Sequence, residues 1–483
     1  MAAGQSRAGS APEPPGRTTL MRVTLLAGPV LSMVDSSVVN VAVPVIVRDL
    51  HTSLGTAAWT VSGYLLGLAG GLAVSPWLAR RFGTMRAYTA VLLGFTLASA
   101  ACALAPDVGL LITMRVVQGL VGAPMVPLAL GLLFGENGEA ANIPVSAGIV
   151  FFAAPALGPA IGGLLISGFG WRSVFLINVP IGLAALAAAV FARAPGPTSA
   201  GDPAARPDVL GFALLGAGLS AATYGASQGP ASGWLSARSA PAWLGGLLLM
   251  AGYAAWAHRR SSGTGPPAAV SLELLRSPRW AGTLLLCCVA SVVLFSVLFL
   301  APVFLQQVQR HSATVTGLAL LPQGVVMGFA SVLGNVIVGS GKTRPAVIYS
   351  VVAAGLVLLA VSTLGLLLLT ATSPVWLTAA LLCGRGIALG ITIQLLVRGL
   401  LGGLDSARSP DGNTLFNIGE RLSGSFGIAL LATFYASRAQ ASGSPVTALH
   451  DCAVVLSAVS AAAALAAAAM AAAGTRAGNT VRR

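Results

Sequence analysis

Apolar runs of about twenty residues or more recur along this 483-residue chain, and very few charges interrupt them. About 20 residues at 1.5 Å each cross a roughly 30 Å hydrocarbon core. Only helices and closed barrels satisfy their backbone in that medium. The runs are continuous rather than short and alternating, so the chain reads as an all-α membrane protein. Charged residues make up 8% of it, against about 25% in soluble domains.

The spacing predicts fourteen transmembrane spans, at 22–46, 56–79, 87–105, 108–133, 143–167, 172–193, 208–228, 240–258, 280–305, 314–339, 346–369, 374–397, 413–436 and 448–473. An even number puts both termini on one side. If that side is the cytoplasm, its segments hold twenty of the 27 Lys and Arg, the other side holds five, and Arg115 and Arg385 lie within spans. That bias is the positive-inside pattern. It absorbs a net charge of +14, which in a soluble chain would suggest nucleic acid. No nucleic-acid partner is expected. The eight tryptophans fall at span ends or in loops, as an interfacial belt requires.

Residues 1–21 read as a disordered cytoplasmic tail, as do 474–483 at the other end. Segments 194–207 and 259–279 are linkers rich in Pro, Gly, Ser and Arg. They flank an inserted pair of spans, 208–228 and 240–258, so that 194–279 separates one six-helix half (22–193) from another (280–473). Bundles built this way bind substrate between the halves. Loops are short, leaving no room for a catalytic or nucleotide-binding domain. Gly339-Ser340-Gly341-Lys342-Thr343 imitates the end of a phosphate-binding loop, but Val336 stands where the motif needs Gly. The five cysteines and four histidines form no metal-ligand pattern. No metal or cofactor is expected, and no enzyme.

Charge inside a span costs about 2.5–3.5 kcal/mol on insertion scales, so it marks a function or a partner. Asp35 lies roughly 20 Å from the inner end of the first span and Arg115 roughly 10 Å from the outer end of the fourth. Both reach a similar depth and can meet. Burial disfavours an ionised carboxylate and a neighbouring cation favours it. The pair is therefore either a proton carrier tuned by Arg115 or a buried structural ion pair. Asn40 and Gln118 are candidate hydrogen-bond partners. Arg385 needs an anion: Glu420, or an acidic group on a substrate. Gln306, Gln323 and Gln394 are further polar residues for a substrate cavity. Gly158 and Gly162, four apart, allow close helix approach, and Pro159 permits a kink.

Asp35-Ser36-Ser37-Val38-Val39-Asn40-Val41-Ala42-Val43-Pro44 resembles the first-span motif of the fourteen-span drug:proton antiporters of the major facilitator superfamily. Arg115-Val116-Val117-Gln118-Gly119 is similar to that family's fourth-span motif. Gly158-Pro159-Ala160-Ile161-Gly162-Gly163, with Pro155 before it, is similar to the fifth-span motif of its antiporters, and Trp171 to Gly182 to the start of its sixth span. The resemblance implies a major-facilitator-like bundle, a proton-transfer role for Asp35 and Arg115, and a gating role for the fifth-span motif. The loop between spans two and three departs from the family. Pro76-Trp77-Leu78-Ala79-Arg80-Arg81-Phe82-Gly83 has Pro76 for the usual Gly and Arg80 for the usual Asp. Glu420-Arg421-Leu422-Ser423-Gly424 departs from the thirteenth-span pattern.

The resulting expectation is a multi-pass protein of a bacterial inner membrane, both termini cytoplasmic, working as a monomer. It exports an amphipathic drug- or antibiotic-like molecule in exchange for protons by alternating access. The alternative is uptake or symport of a small metabolite on the same fold.

Overall fold

The structure, a computed structural model, describes residues 15–134, 145–192, 202, 206–237, 239–261, 270–339, 345–402, 404–405 and 408–480. Among them all regular structure is helical. The α-helices are α1 (Pro15–Asp49), α2 (Leu54–Leu72), α3 (Ser75–Phe82), α4 (Thr84–Ala103), α5 (Val108–Gly122), α6 (Met125–Phe134), α7 (Val145–Phe169), α8 (Ser173–Leu176) and α9 (Asn178–Ala192). The chain continues through α10 (Val209–Ser232), α11 (Ala240–Ser261), α12 (Pro278–Val303), α13 (Ala313–Val338), α14 (Pro345–Leu364), α15 (Val375–Leu401), α16 (Ser409–Ser442) and α17 (Pro445–Thr480). Ten of the described helices are long and apolar enough to cross a membrane, or eleven when bent α2–α3 counts as one span.

Side-chain chemistry starts and stops these helices. Ser53, Asp107, Asp208 and Ser277 each accept a hydrogen bond from a backbone N–H of the turn they open, which satisfies donors that a helix start leaves bare. Proline sets the breaks. Pro76, in the first turn of α3, brings no N–H to the ladder, and the chain bends by 51° between α2 and α3. What the sequence suggests is a loop at 80–86 is thus largely helix. Gly83 joins α3 to α4 at φ 81°, ψ 145°, a conformation that a side chain would disfavour. At the other end of the chain's first segment, α1 begins at Pro15. The last seven residues of the expected 1–21 tail are therefore helical, and a proline's fixed φ suits that first turn.

Residues 1–14, most of the linker at 194–207, residues 262–269 of the other linker, the tail beyond 480 and the phosphate-loop mimic from Ser340 on lie outside the described residues. Two tryptophans leave the expected belt. Trp171 and Trp280 are buried, the first edge-on to Phe175 and the second donating to the Leu400 carbonyl at 3.1 Å. Trp234 and Trp376 remain exposed.

Helices from early and late in the chain meet along two seams, α7 with α13 and α2 with α16. α10 pairs with α11 and also packs on α16 and α2. Glycines set how near the α7 seam comes. A Cβ at Gly163 would strike the Ala313 carbonyl, and one at Gly317 the Pro159 carbonyl. Gly158 and Gly162 turn toward α1, where a Cβ would strike the Ser37 hydroxyl and lie 3.1 Å from the Val38 oxygen. Pro155 lies within α7, with its side chain outside the described residues. Thr314 fastens the same seam, donating to the Gly163 carbonyl at 3.2 Å and Ser167 Oγ at 2.9 Å. Nearby, Gln306 donates to the Val41 carbonyl at 2.9 Å. These contacts close the bundle toward the face opposite the one where α1 begins, here called the N-terminal face. Overpacking a close contact costs about 1–3 kcal/mol. Gly317→Ala should lower the thermal unfolding midpoint of the purified protein, while Gly168→Ala, whose added atom meets nothing within 4 Å, should leave it unchanged.

Candidate functional site

The expected pair forms. Arg115 Nη1 donates to Asp35 Oδ2 at 2.5 Å, and both side chains are sealed from solvent. α5 positions the arginine so that Nε reaches the Thr60 carbonyl on α2 at 2.8 Å and Nη1 also reaches Gln118 Oε1 at 2.7 Å. Gln118, one turn further along α5, donates to Asp35 Oδ1 at 3.3 Å and to Ser99 Oγ on α4 at 2.6 Å. Asn178, opening α9, donates to Asp35 Oδ1 at 2.8 Å and Ser99 Oγ at 3.2 Å. Cys102 Sγ donates to Gln118 Oε1 at 3.6 Å. The guanidinium lies 4.0 Å from the Tyr64 ring centre and 5.4 Å from that of Phe175, a desolvated setting in which cation–π attraction is strongest. One carboxylate is thus ringed by donors from α5 and α9 and backed by α2, α4 and α8.

Asn178, Ser99, Cys102 and Tyr64 are not among the residues singled out by sequence. A buried Asn in an apolar run was a readable signal; a serine, a cysteine or a tyrosine there was not. Asn40 was singled out, yet it does not join the pair. It is buried and donates to the Ser36 and Ser37 carbonyls of its own helix.

On the N-terminal-face side of the pair lies a cavity of about 330 Å³, walled by α1, α2, α3, the start of α4, α6 and α16, with Ala123 just after α5. Its walls include Ser32, Met33, Leu68, Asn413, Asn417 and Arg421. Arg421 is the one charged side chain among the described wall residues. Ser32 connects cavity and pair. It sits three residues before Asp35, and its Oγ lies 3.1 Å from the hydroxyl of Tyr64, the residue whose ring backs Arg115.

None of the residues expected to bind substrate lines this cavity. Gln118 belongs to the ion pair. Gln306 bridges two helices on the far side, and Gln323 is buried against α15. Gln394 and Glu420 are half-buried outside the cavity wall. The expected Arg385–Glu420 pair does not form. Arg385 is wholly buried and donates to Thr363 Oγ1 and, at 3.0 Å, to the Val293 carbonyl. Helical rise explains the miss: from the opposite-face ends of their helices Arg385 lies about 15 Å down and Glu420 about 33 Å.

Arg80 and Arg81 close α3. Arg80 lines a separate cavity of about 760 Å³ on the N-terminal face, with Asp208, Glu273 and Asp411 also in its wall. Burial, then the neighbouring Glu273, raise the Asp411 carboxyl above its usual range. Where the resembled loop has an acid, this chain has a base, in a wall that carries both acids and further bases, Arg206, Arg260 and Arg276, from later segments. Among the described residues no cluster of His, Cys, Asp and Glu suits a metal ion.

Comparison with known proteins adds relatives to this geometry. The Major Facilitator Superfamily model matches residues 25–428. The chain is 33% identical over 417 residues to the multidrug resistance protein B homolog of Mycobacterium tuberculosis, covering 83% of this chain and 73% of that one. It is 35% identical over 439 residues to the tetracenomycin C resistance and export protein of Streptomyces glaucescens (86% and 76% covered). It is 30% identical over 427 residues to the methylenomycin A resistance protein of Bacillus subtilis (86% and 88%). Among solved structures, a bacterial homolog of the human lysosomal transporter Spinster, inward-facing and unoccupied, superposes with a TM-score of 0.64 at 14% identity over 97% of this chain and 98% of that one. That likeness is one of fold.

Removing one partner of a buried pair strands the other and costs about 3–5 kcal/mol. Arg115→Ala should therefore lower the unfolding midpoint sharply, and adding Asp35→Asn should recover part of the loss. Thermal unfolding of the four proteins in one detergent checks this; simply additive losses would show that the two residues do not act as a pair.

Proposed function

The chain belongs to the Major Facilitator Superfamily, and from that premise we propose that it exports an amphipathic, antibiotic-like molecule in exchange for protons. As a member of this family it is a multi-pass membrane transporter of small molecules and not an enzyme. The observation that carries the proposal is Asp35, a lone carboxylate sealed against Arg115 and three residues from the wall of a cavity. On this proposal alternating access changes the surroundings of the pair once per cycle, wetting it from one side and then the other. The relatives named for resistance and export support the outward direction. One proton moving down 100 mV supplies about 2.3 kcal/mol, enough for a gradient of roughly 50-fold.

The substrate follows from the cavity wall. Leu68, Leu72, Met33 and Pro127 offer apolar surface, while Asn413 and Arg421 offer donors on one side, beside Asn417, whose amide donates to Asn413. An amphipathic molecule with a carbonyl, phenolate or carboxylate fits that division. On this reading Asn413, Asn417 and Arg421 contact substrate, whereas Arg385 ties α15 to α12 and α14.

Fourteen spans, six and six about an inserted pair, remain our reading of the topology. The apolar criterion passes over α7, α8–α9 and α16. α7 is itself a 25-residue apolar helix, α9 is short, and α16 opens in polar residues. Counting them with the eleven gives fourteen and returns both termini to one side. By the positive-inside pattern that side is the cytoplasm. Alkaline phosphatase fused after Leu235 should be active in a bacterial host, and a fluorescent protein fused after Arg483 should fluoresce; the reverse pattern would refute this orientation.

The transport reading is tested in proteoliposomes loaded with tetracenomycin C, a molecule named for one relative, under an imposed pH gradient. Gradient-driven movement should appear in the wild type, vanish when the gradient is collapsed, and be lost in Asp35→Asn. Movement indifferent to the gradient, or an undiminished variant, would rule out proton exchange at Asp35. Driven accumulation with, rather than against, the proton flow would identify a symporter.

A further inference from the structure

α10 does more than pack against α11. It lies over the seam between α2 and α16, and at the face opposite the N-terminal one it leaves a cavity of about 670 Å³ between the three helices. That volume falls in the range of roughly 300–1,000 Å³ typical of small-molecule sites. The cavity is separate from the Asp35 pair and from the cavity beneath it. Ser53, the N-cap of α2, and Gln440, in the last turns of α16, place its mouth at the membrane surface.

Its wall has a consistent chemistry. No charged side chain lines it among the described residues. Trp59 from α2 and Tyr224 from α10 form an aromatic pair with ring centres 6.1 Å apart, inclined at 46°. The hydroxyls of Thr433 and Ser437 are spent on carbonyls of their own helix, and those of Ser53 and Thr56 on each other. The Tyr224 hydroxyl and the Gln228 and Gln440 amides have no protein partner among the described residues. An apolar ring surface beside free amide and phenol groups matches a flat ring that carries hydroxyls. A carboxylate or ammonium group would enter without a counter-charge, at a desolvation cost that nothing in the wall repays.

We propose that this cavity is a second binding site, selective for uncharged aromatic glycosides. The aglycone stacks at Trp59 and Tyr224, and the sugar hydroxyls exchange hydrogen bonds with Gln228 and Gln440. The site joins α2, α10 and α16 directly above the point where Ser62 and Ser425 pair across the same seam. Its occupant therefore bridges elements from the early, inserted and late parts of the chain. Binding here is independent of the direction of transport.

The test uses purified protein in lipid nanodiscs, free of alkyl-glycoside detergent, which would compete. Equilibrium dialysis with 4-methylumbelliferyl β-D-glucopyranoside should show saturable binding. The double variant Gln228→Ala/Gln440→Ala should weaken it by about tenfold, the loss of roughly one to two net hydrogen bonds. Ala436→Trp, which fills the cavity with a ring, should abolish it. The glucuronide of the same fluorophore, carrying a carboxylate, should bind at least as weakly as the glucoside binds to the double variant. Equal affinity across wild type, double variant and Ala436→Trp would place the ligand elsewhere and overturn the proposal, as would an absence of saturable binding to the wild type. Equal affinity for glucoside and glucuronide would overturn its selectivity for uncharged ligands. Unchanged unfolding midpoints would show that the variants report on the cavity and not on folding.

Discussion

The salt bridge between Asp35 and Arg115 organises the first part of the chain. Withdrawing two charges from water costs several kcal/mol per ion, and their attraction offsets this only when the remaining donors and acceptors are matched. The protein meets most of that condition by bringing six helices to one point, and leaves Arg115 Nη2 without a hydrogen-bond partner among the described residues, with the guanidinium set over the Tyr64 ring. α5 supplies the cation and Gln118, α4 the Ser99 hydroxyl, α9 the Asn178 amide, α2 the Thr60 carbonyl and the Tyr64 ring, and α8 the Phe175 ring. A shift of any one of these helices leaves a buried polar atom short of a partner, so the pair fixes their relative depths. The same economy makes it sensitive to water: hydrate either ion and the reason for the arrangement is gone.

Arg385 shows what the later helices do with a similar problem. Each arginine is buried, each donates to a backbone carbonyl of a neighbouring helix, and each keeps one nitrogen without a partner among the described residues; Arg385 also donates to the Thr363 hydroxyl. Arg385 has no carboxylate beside it. The first cation thus sits beside a carboxylate and the second beside neutral oxygens alone.

Depth was legible in the sequence and facing was not. Counting residues from the span ends brought Asp35 and Arg115 to one level, because helical rise is constant and charges stand out in apolar runs. Gln118 followed by its spacing. Asn178 lay inside a recognised stretch but on a face that no periodicity marked, since the segment is apolar all round. Ser99 and Cys102 are ordinary residues in a membrane helix and announce nothing. Asn413, Asn417 and Arg421 read as the polar start of a span because α16 is longer than a bilayer requires, at 34 residues, and its first turns border a cavity rather than lipid. The search for an anion beside Arg385 failed for a different reason. A guanidinium has five donors, and at Arg385 two of its nitrogens take neutral oxygens while Nε stays without a partner among the described residues.

Ser62 and Ser425 exchange hydrogen bonds in both directions, each hydroxyl donating to the other's backbone carbonyl, at 3.1 and 2.8 Å. Neutral bonds of this kind are worth only about 0.5–1.5 kcal/mol each, because water replaces them at nearly equal strength. A seam fastened in this way neither traps the protein shut nor leaves it ajar. Parting it trades one set of hydrogen bonds for another, and the reverse trade is equally cheap. An ion pair in the same place would tie α2 to α16 more tightly than these neutral bonds do.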